Sequence, residues 1–188
     1  TSFAVADIDN PQPKDFPAVC RIRTASSTGN GFLVHPRIVM TAYHVIDDVG
    51  EGVVGCVFPI EDGSRLARVV YWNKSRDLVL LYLDRRVAAK YLQVSSRVPP
   101  VGTKLRLIGY GGSPRPYFSR IITRVKGYGK SSRGGHLTLL LEITVSHGDS
   151  HGPVLWKDQL CRIFATLNNT RQSDKSKQKR HIRSVRTP

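Results

Sequence analysis

The chain is short of acidic residues, of cysteine, of long apolar runs and of helical patterns, and each shortage removes a class of protein. Asp and Glu number 14 against 29 Lys and Arg, a formal charge of +15 over 188 residues. A surface so biased invites phosphate-rich polymers or anionic surfaces as partners. Three cysteines, Cys20, Cys56 and Cys161, are odd in number and far apart, which suits neither a disulfide framework nor zinc-ligand spacing. A reducing compartment is expected, with no metal and no cofactor. No apolar stretch is long enough to span a bilayer, and TSFAVADIDNPQPKDF lacks the basic start and apolar run of a secretory leader. No membrane span and a soluble protein are therefore expected. The first residue is Thr1, which leaves open both a trimmed chain and a product cut from a longer precursor.

What remains is ordinary globular composition, 40% apolar and 23% charged, enough for one domain or one closely packed two-lobed unit. Short β-type runs fill it: AVCRIR (18–23), GFLV (31–34), RIVMTA (37–42), GVVGCVF (52–58), RLARVVYW (65–72) and DLVLLYL (77–83) in the first half. KLRLIGY (104–110), YFSRIITRVKGYG (117–129), HLTLLLEITV (136–145), PVLW (153–156) and LCRIFATL (160–167) follow in the second. TGNG (28–31), EDGS (61–64), VPPVG (98–102), GGSPRP (111–116) and SSRGGH (131–136) supply turn chemistry between them. Only DRRVAAKYLQV (84–94) has helical character. Many short strands with tight turns predict an all-β protein. The division near residues 95–102 predicts an N-terminal extension (1–17), a β-barrel over 18–96, a second over 97–170, and a basic tail (171–188). That tail holds seven basic residues and one acidic residue and almost nothing apolar, so it is expected to be flexible. It reads either as a solvated linker or processing remnant, or as an RNA-contacting arm.

The chemistry concentrates in VSHGDSHGPVLW, residues 145–156. Gly148 to Gly152 spell G-x-S-x-G, the nucleophile elbow of α/β-hydrolases, and also G-D-S-x-G-P. The elbow design needs alternating strands and helices, and an acid and then a histidine after the serine. Beyond the neighbouring His151, the only later histidine is His181, in the tail. Order, length and fold class all exclude the elbow.

The opposite order, histidine then acid then serine, is present. GNGFLVHPRIVMTAYHVIDD (29–48) resembles the segment that carries the catalytic histidine of chymotrypsin-like serine proteases, with Thr41, Ala42, Tyr43, His44 and Val45 as T-A-x-H-V. SRDLVLLYL (75–83) is similar to that family's acid-bearing strand and places Asp77. VGTKLRLIGYG (101–111) resembles the strand opening its second barrel, and GDSHGPVL supplies Ser150. The resemblance covers roughly residues 18–168 and implies two six-stranded β-barrels packed together. It implies a serine endopeptidase in which His44 takes the proton of Ser150, Asp77 fixes the imidazole tautomer, and the N–H groups of Gly148 and Ser150 form an oxyanion hole. Asp47 and Asp48 lie closer to His44 in sequence and compete for the acid role, but a triad assembles in space, which favours Asp77 at the head of an apolar strand.

Several positions depart from the family. His151 stands where glycine is usual and is read as a neutral substitution. Asp149 is present, but TSFA does not match the amino terminus that pairs with it after zymogen cleavage, and the disulfide near the histidine has no counterpart. The chain is thus similar to the disulfide-free branch of viral polyprotein proteases and bacterial HtrA-like proteases. A viral source would place it in the host cytoplasm. By resemblance the specificity pocket has Thr144 at its base, Ala165, Thr166 and Leu167 along its wall and His147 beside it. With no acid at that base, a small or neutral residue is expected at the cleavage site. The expected partner is a polypeptide, with the chain's own polyprotein as one candidate. A protease fold used to bind RNA is the reading from another class: Arg115, Arg120, Arg124, Lys126, Lys130 and Arg133 gather in one hairpin region with Tyr110, Tyr117 and Tyr128 as stacking groups.

Overall fold

The computed structural model describes residues 12–50, 52–111, 117–130, 137–141, 152–157 and 159–161, with the backbone alone at 111, 117–121 and 137. Six strands, β1 (Val19–Arg23), β2 (Thr28–His35), β3 (Ile38–Thr41), β4 (Val53–Val57), β5 (Arg65–Asn73) and β6 (Leu78–Leu83), form a closed antiparallel barrel in the order β1-β2-β3-β6-β5-β4. Closure leaves no unpaired edge. β6 shows the period of a half-buried strand, with Val79, Leu81 and Leu83 fully buried between partly exposed neighbours. These three join Ile22, Leu33, Val39, Val54, Cys56 and Phe58 in the barrel core.

Five further strands, β7 (Lys104–Gly111), β8 (Tyr117–Lys130), β9 (Leu137–Leu141), β10 (Val154–Trp156) and β11 (Gln159–Leu160), make a second sheet ordered β11-β10-β7-β8-β9. Its own core is Leu105, Leu107, Val125, Leu139, Val154 and Cys161. The all-β architecture expected from the strand pattern is present: one closed six-stranded barrel and, among the described residues, a five-stranded second sheet. A third apolar cluster joins the two, with Val19 and Phe32 from the barrel packed against Ile108, Leu155 and Leu160.

Two expectations need correction. DRRVAAKYLQV forms no helix; residues 84–95 run as an irregular strap. Its backbone donors are used elsewhere: Val87 donates to Pro36, Leu92 to the Leu33 carbonyl of β2, and Ser95 to Leu160, while Leu160 donates back to Gln93. Bonds to two neighbouring sheets, with Val87 buried in the barrel, outweigh a local helical preference. TGNG is not a turn but the first half of β2, and it pairs in register with β1 (Arg23↔Thr28, Arg21↔Asn30). EDGS and VPPVG do turn, with Gly63 and Gly102 at φ of 82° and 83°.

Candidate active site

The β3–β6 ladder brings together two residues 33 positions apart. Thr41 pairs with Val79, so the chain leaving β3 and the chain entering β6 meet at one barrel end. From β3 the backbone passes through Ala42 into a single 3-10 turn, Tyr43–Val45, which carries His44. Val45 and Ile46 are buried behind it, and Gly29 makes the room: a Cβ there would lie 2.7 Å from both Val45 methyls. Those two buried side chains hold the turn, leaving the His44 side chain 42% exposed.

Asp77 enters from the other side. Asn73 Oδ1 accepts from the Arg76 N–H and the Ser75 hydroxyl, both at 2.9 Å, and the Asp77 N–H donates to the Lys74 carbonyl at 3.2 Å. The turn leaves Asp77 at φ 53°, a left-handed conformation that Asp tolerates better than most residues and that typically costs about 1–3 kcal/mol. The Lys74 ammonium lies 5.6 Å from the Tyr43 ring centre, joining the two turns. Asn73 is a site residue that sequence reading overlooked; N-K-S-R before D-L was its available signal.

Both carboxylate oxygens of Asp77 reach His44. Oδ2 lies 2.7 Å from Nδ1, and Oδ1 accepts the His44 backbone N–H at 3.1 Å. An ionised carboxylate only accepts, so Nδ1 carries the proton and Nε2 is left basic. This is the tautomer a proton-accepting imidazole needs. The competing acids are elsewhere. Asp48 accepts from Thr24 at 3.0 Å and from Ser26, and the Ser26 hydrogen bond in particular holds its carboxyl below the usual range; Asp47 is exposed.

On the second sheet, the chain following the G-D-S-H stretch is tied to β7. Ile108 donates its N–H to the Pro153 carbonyl at 3.2 Å, and a Cβ on Gly152 would be driven into the Ile108 carbonyl oxygen. The backbones are in such contact that only glycine fits at 152. Ser150, Gly148, His151, Asp149 and the expected pocket residues Thr144, His147, Ala165, Thr166 and Leu167 lie outside the described residues, as do Arg115, Arg133 and the tail. All three cysteines are buried and free. Burial pushes the Cys161 thiol up to about 11, and burial together with Cys56 raises Cys20. Cys20 and Cys161 are thereby held as neutral thiols, the less nucleophilic form.

With that geometry in place, the trypsin-like peptidase domain model matches residues 29–160, a span that includes both turns and the G-D-S-H-G-P stretch. The chain belongs to the trypsin-like peptidase family. It is a serine-type peptidase, a hydrolase acting on polypeptides. Among solved structures, this peptidase is similar to the active form of the Rv3671c protease from M. tuberculosis, with TM-score 0.64 and 23% identity over 85% of this chain and 75% of that one. Deg5 follows with TM-score 0.58 and 24% identity over 76% and 75%. The serine endoprotease from Yersinia pestis gives TM-score 0.61 and 19% identity, over 77% of this chain and 52% of that one. No curated protein matches in a sequence comparison. These likenesses carry the fold, a trypsin-like barrel packed on a second sheet. No described helix of the peptidase is long and apolar enough to cross a membrane.

Proposed function

We propose that the chain is an endopeptidase working through Ser150, His44 and Asp77. The observation that carries this reading is the two-point grip of Asp77 on His44, at 2.7 and 3.1 Å, which fixes both the ring's orientation and its proton. Ser150 Oγ attacks the scissile carbonyl and passes its proton to Nε2 of His44. The same proton goes to the departing amine nitrogen as the C–N bond breaks, leaving an acyl-serine ester. Water then gives a proton to His44 Nε2 and its oxygen to the acyl carbon, and as the C–Oγ bond breaks His44 returns that proton to Oγ, which frees Ser150 and the base. The N–H groups of Gly148 and Ser150 receive the charge that develops on the carbonyl oxygen. The pocket assigned to Thr144, His147, Ala165, Thr166 and Leu167 takes a small or neutral side chain.

Within this reading the substrate is a polyprotein that includes the chain itself, with HtrA-like cleavage of other polypeptides as the runner-up. The disulfide-free barrel supports both. The exposed face of β8 favours a second partner, because Arg124, Lys126 and Lys130 lie exposed on alternate residues with Tyr128 between them. That face, with the basic tail, suits RNA.

The test is labelling by a serine-directed phosphonate with mass spectrometry, beside digestion of a peptide library. Wild type is expected to label at Ser150 and to cut, while Ser150→Ala does neither and loses about 10⁶ in kcat. A wild type unlabelled at Ser150, or equal cutting by both, overturns the assignment.

A further inference from the structure

One fully buried polar side chain lies between the two lobes and belongs to none of the groups assigned so far. Asn30 is 0% exposed. Along β2 the side chains alternate: Gly29 and Gly31 face the barrel interior, where an added Cβ would lie 2.7 Å from Val45 or Val39, so Asn30 faces out of the barrel. What it meets is β7 of the second sheet. Its Oδ1 accepts the Tyr110 N–H at 2.6 Å, and its Nδ2 donates to the Tyr110 carbonyl at 3.3 Å. A side-chain amide thereby pairs with both backbone groups of one residue, as a neighbouring strand would. Gly109 makes the approach feasible, since a Cβ there would stand 2.9 Å from the Asn30 amide nitrogen.

Both ends of this joint lead to the reacting groups. Toward the histidine, the Asn30 carbonyl accepts the buried Thr41 hydroxyl at 2.8 Å, and Thr41 is the last residue of β3 before the turn that holds His44. Toward the serine, β7 at Ile108 contacts Gly152 and bonds to Pro153, two and three residues beyond Ser150. We infer that Asn30 is a positioning residue that sets the distance between His44 and Ser150 by fixing β7 to the end of β3 across the lobe interface. This inference rests on the triad reading above. Apolar packing of Val19, Phe32, Ile108, Leu155 and Leu160 holds the lobes together but is non-directional and tolerates sliding. Two opposed hydrogen bonds to one peptide unit fix the register.

The experiment compares three variants of the full chain, at a temperature where each is folded by circular dichroism. Asn30→Ala removes the joint. Gly109→Ala leaves Asn30 in place and pushes a methyl into its amide from the other lobe, so the question survives if one of the two fails to fold. Val19→Ala loosens the same interface without touching the joint. Asn30→Ala and Gly109→Ala are expected to lower kcat and the rate of Ser150 phosphonate labelling together by about 10²-fold, the loss that misplacement by roughly 1 Å brings. KM should stay within about threefold. Val19→Ala should keep kcat within about threefold while losing melting temperature.

Thr41→Ser, which keeps the hydroxyl, should retain activity that Thr41→Val loses. If Asn30→Ala and Gly109→Ala label Ser150 at the wild-type rate, or Val19→Ala loses as much kcat as they do, the positioning role is overturned and the triad stands. A wild type that does not label at Ser150 overturns both.

Discussion

The two lobes fix their share of the site by different means. In the barrel, His44 and Asp77 sit on turns at the ends of paired strands, and the geometry that matters is made by side-chain chemistry: a carboxylate accepting one ring N–H and one backbone N–H. In the second sheet, the stretch after Ser150 is fixed by backbone against backbone, with Gly152 pressed on Ile108 and Pro153 bonded to it. The first arrangement should therefore break when a functional group changes at constant shape. The second should break when a methyl is added at constant chemistry.

Asp77→Asn is the larger test. Asn keeps the shape and tolerates the left-handed backbone at 77, so the fold should melt near the wild-type temperature. Its amide, however, can present N–H to Nδ1, which moves the ring proton to Nε2 and removes the base. On a triad enzyme this change costs about 10⁴ in kcat, to be read on a peptide substrate with KM in parallel. Asp48→Asn, which alters only the contacts with Ser26 and Thr24, should leave kcat unchanged. Equal losses in the two variants would show that charge near His44, and not the grip on its ring, is what counts.

Gly152→Ala is the smaller and reverses the pattern. The atom in the way is a strand carbonyl that cannot rotate aside, so overpacking of about 1–3 kcal/mol is expected, read as a lower urea midpoint, with kcat lowered by about 10² through displacement of Ser150. Gly127→Ala, where the new Cβ would only touch Leu140 at 4.0 Å, should change neither quantity. A Gly152→Ala protein as stable and active as wild type would mean that this contact sets nothing.

The same contrast explains how much was legible in the sequence. Strands came through because short apolar runs stand between turn residues, as DLVLLYL does after NKSR, and the order histidine, acid, serine singled out His44 and Asp77, which the structure brings within 2.7 Å of each other. The strap 84–95 did not, because its apolar spacing fits a helix and only the partners of its N–H groups, Leu33, Pro36 and Leu160, decide otherwise. TGNG was misread for a related reason. Gly and Asn signal a turn locally, whereas here two glycines keep a barrel interior clear and the asparagine serves the neighbouring lobe. Close approach between segments far apart in sequence leaves no local trace. Gly152 lay inside a recognised motif, yet its contact with Ile108 could not be read there.

The smallest expected effect probes the surface where the lobes meet. Tyr110, whose backbone Asn30 binds, packs beside Val19, Phe32 and Ile108, and partial burial pushes its phenol up to about 12, with proximity to Cys20 adding to the rise and Arg21 opposing it. In the unfolded chain a tyrosine ionises near pH 10. Below that pH both states hold the proton, and the group makes stability no different from one pH to the next. Between about 10 and 12 the unfolded state gives up its proton while the folded state keeps it, so folding opposes ionisation and stability falls as pH rises. Tyr110→Phe has no such proton. In a Ser150→Ala background, which prevents self-cleavage, urea unfolding from pH 9 to 11.5 should show the two proteins parallel up to about pH 10 and the tyrosine form losing ground above it. Parallel curves throughout would place the phenol in water and would weaken the view that β7 is packed against the barrel along its length, leaving the Asn30 bonds to hold that end of the strand by themselves.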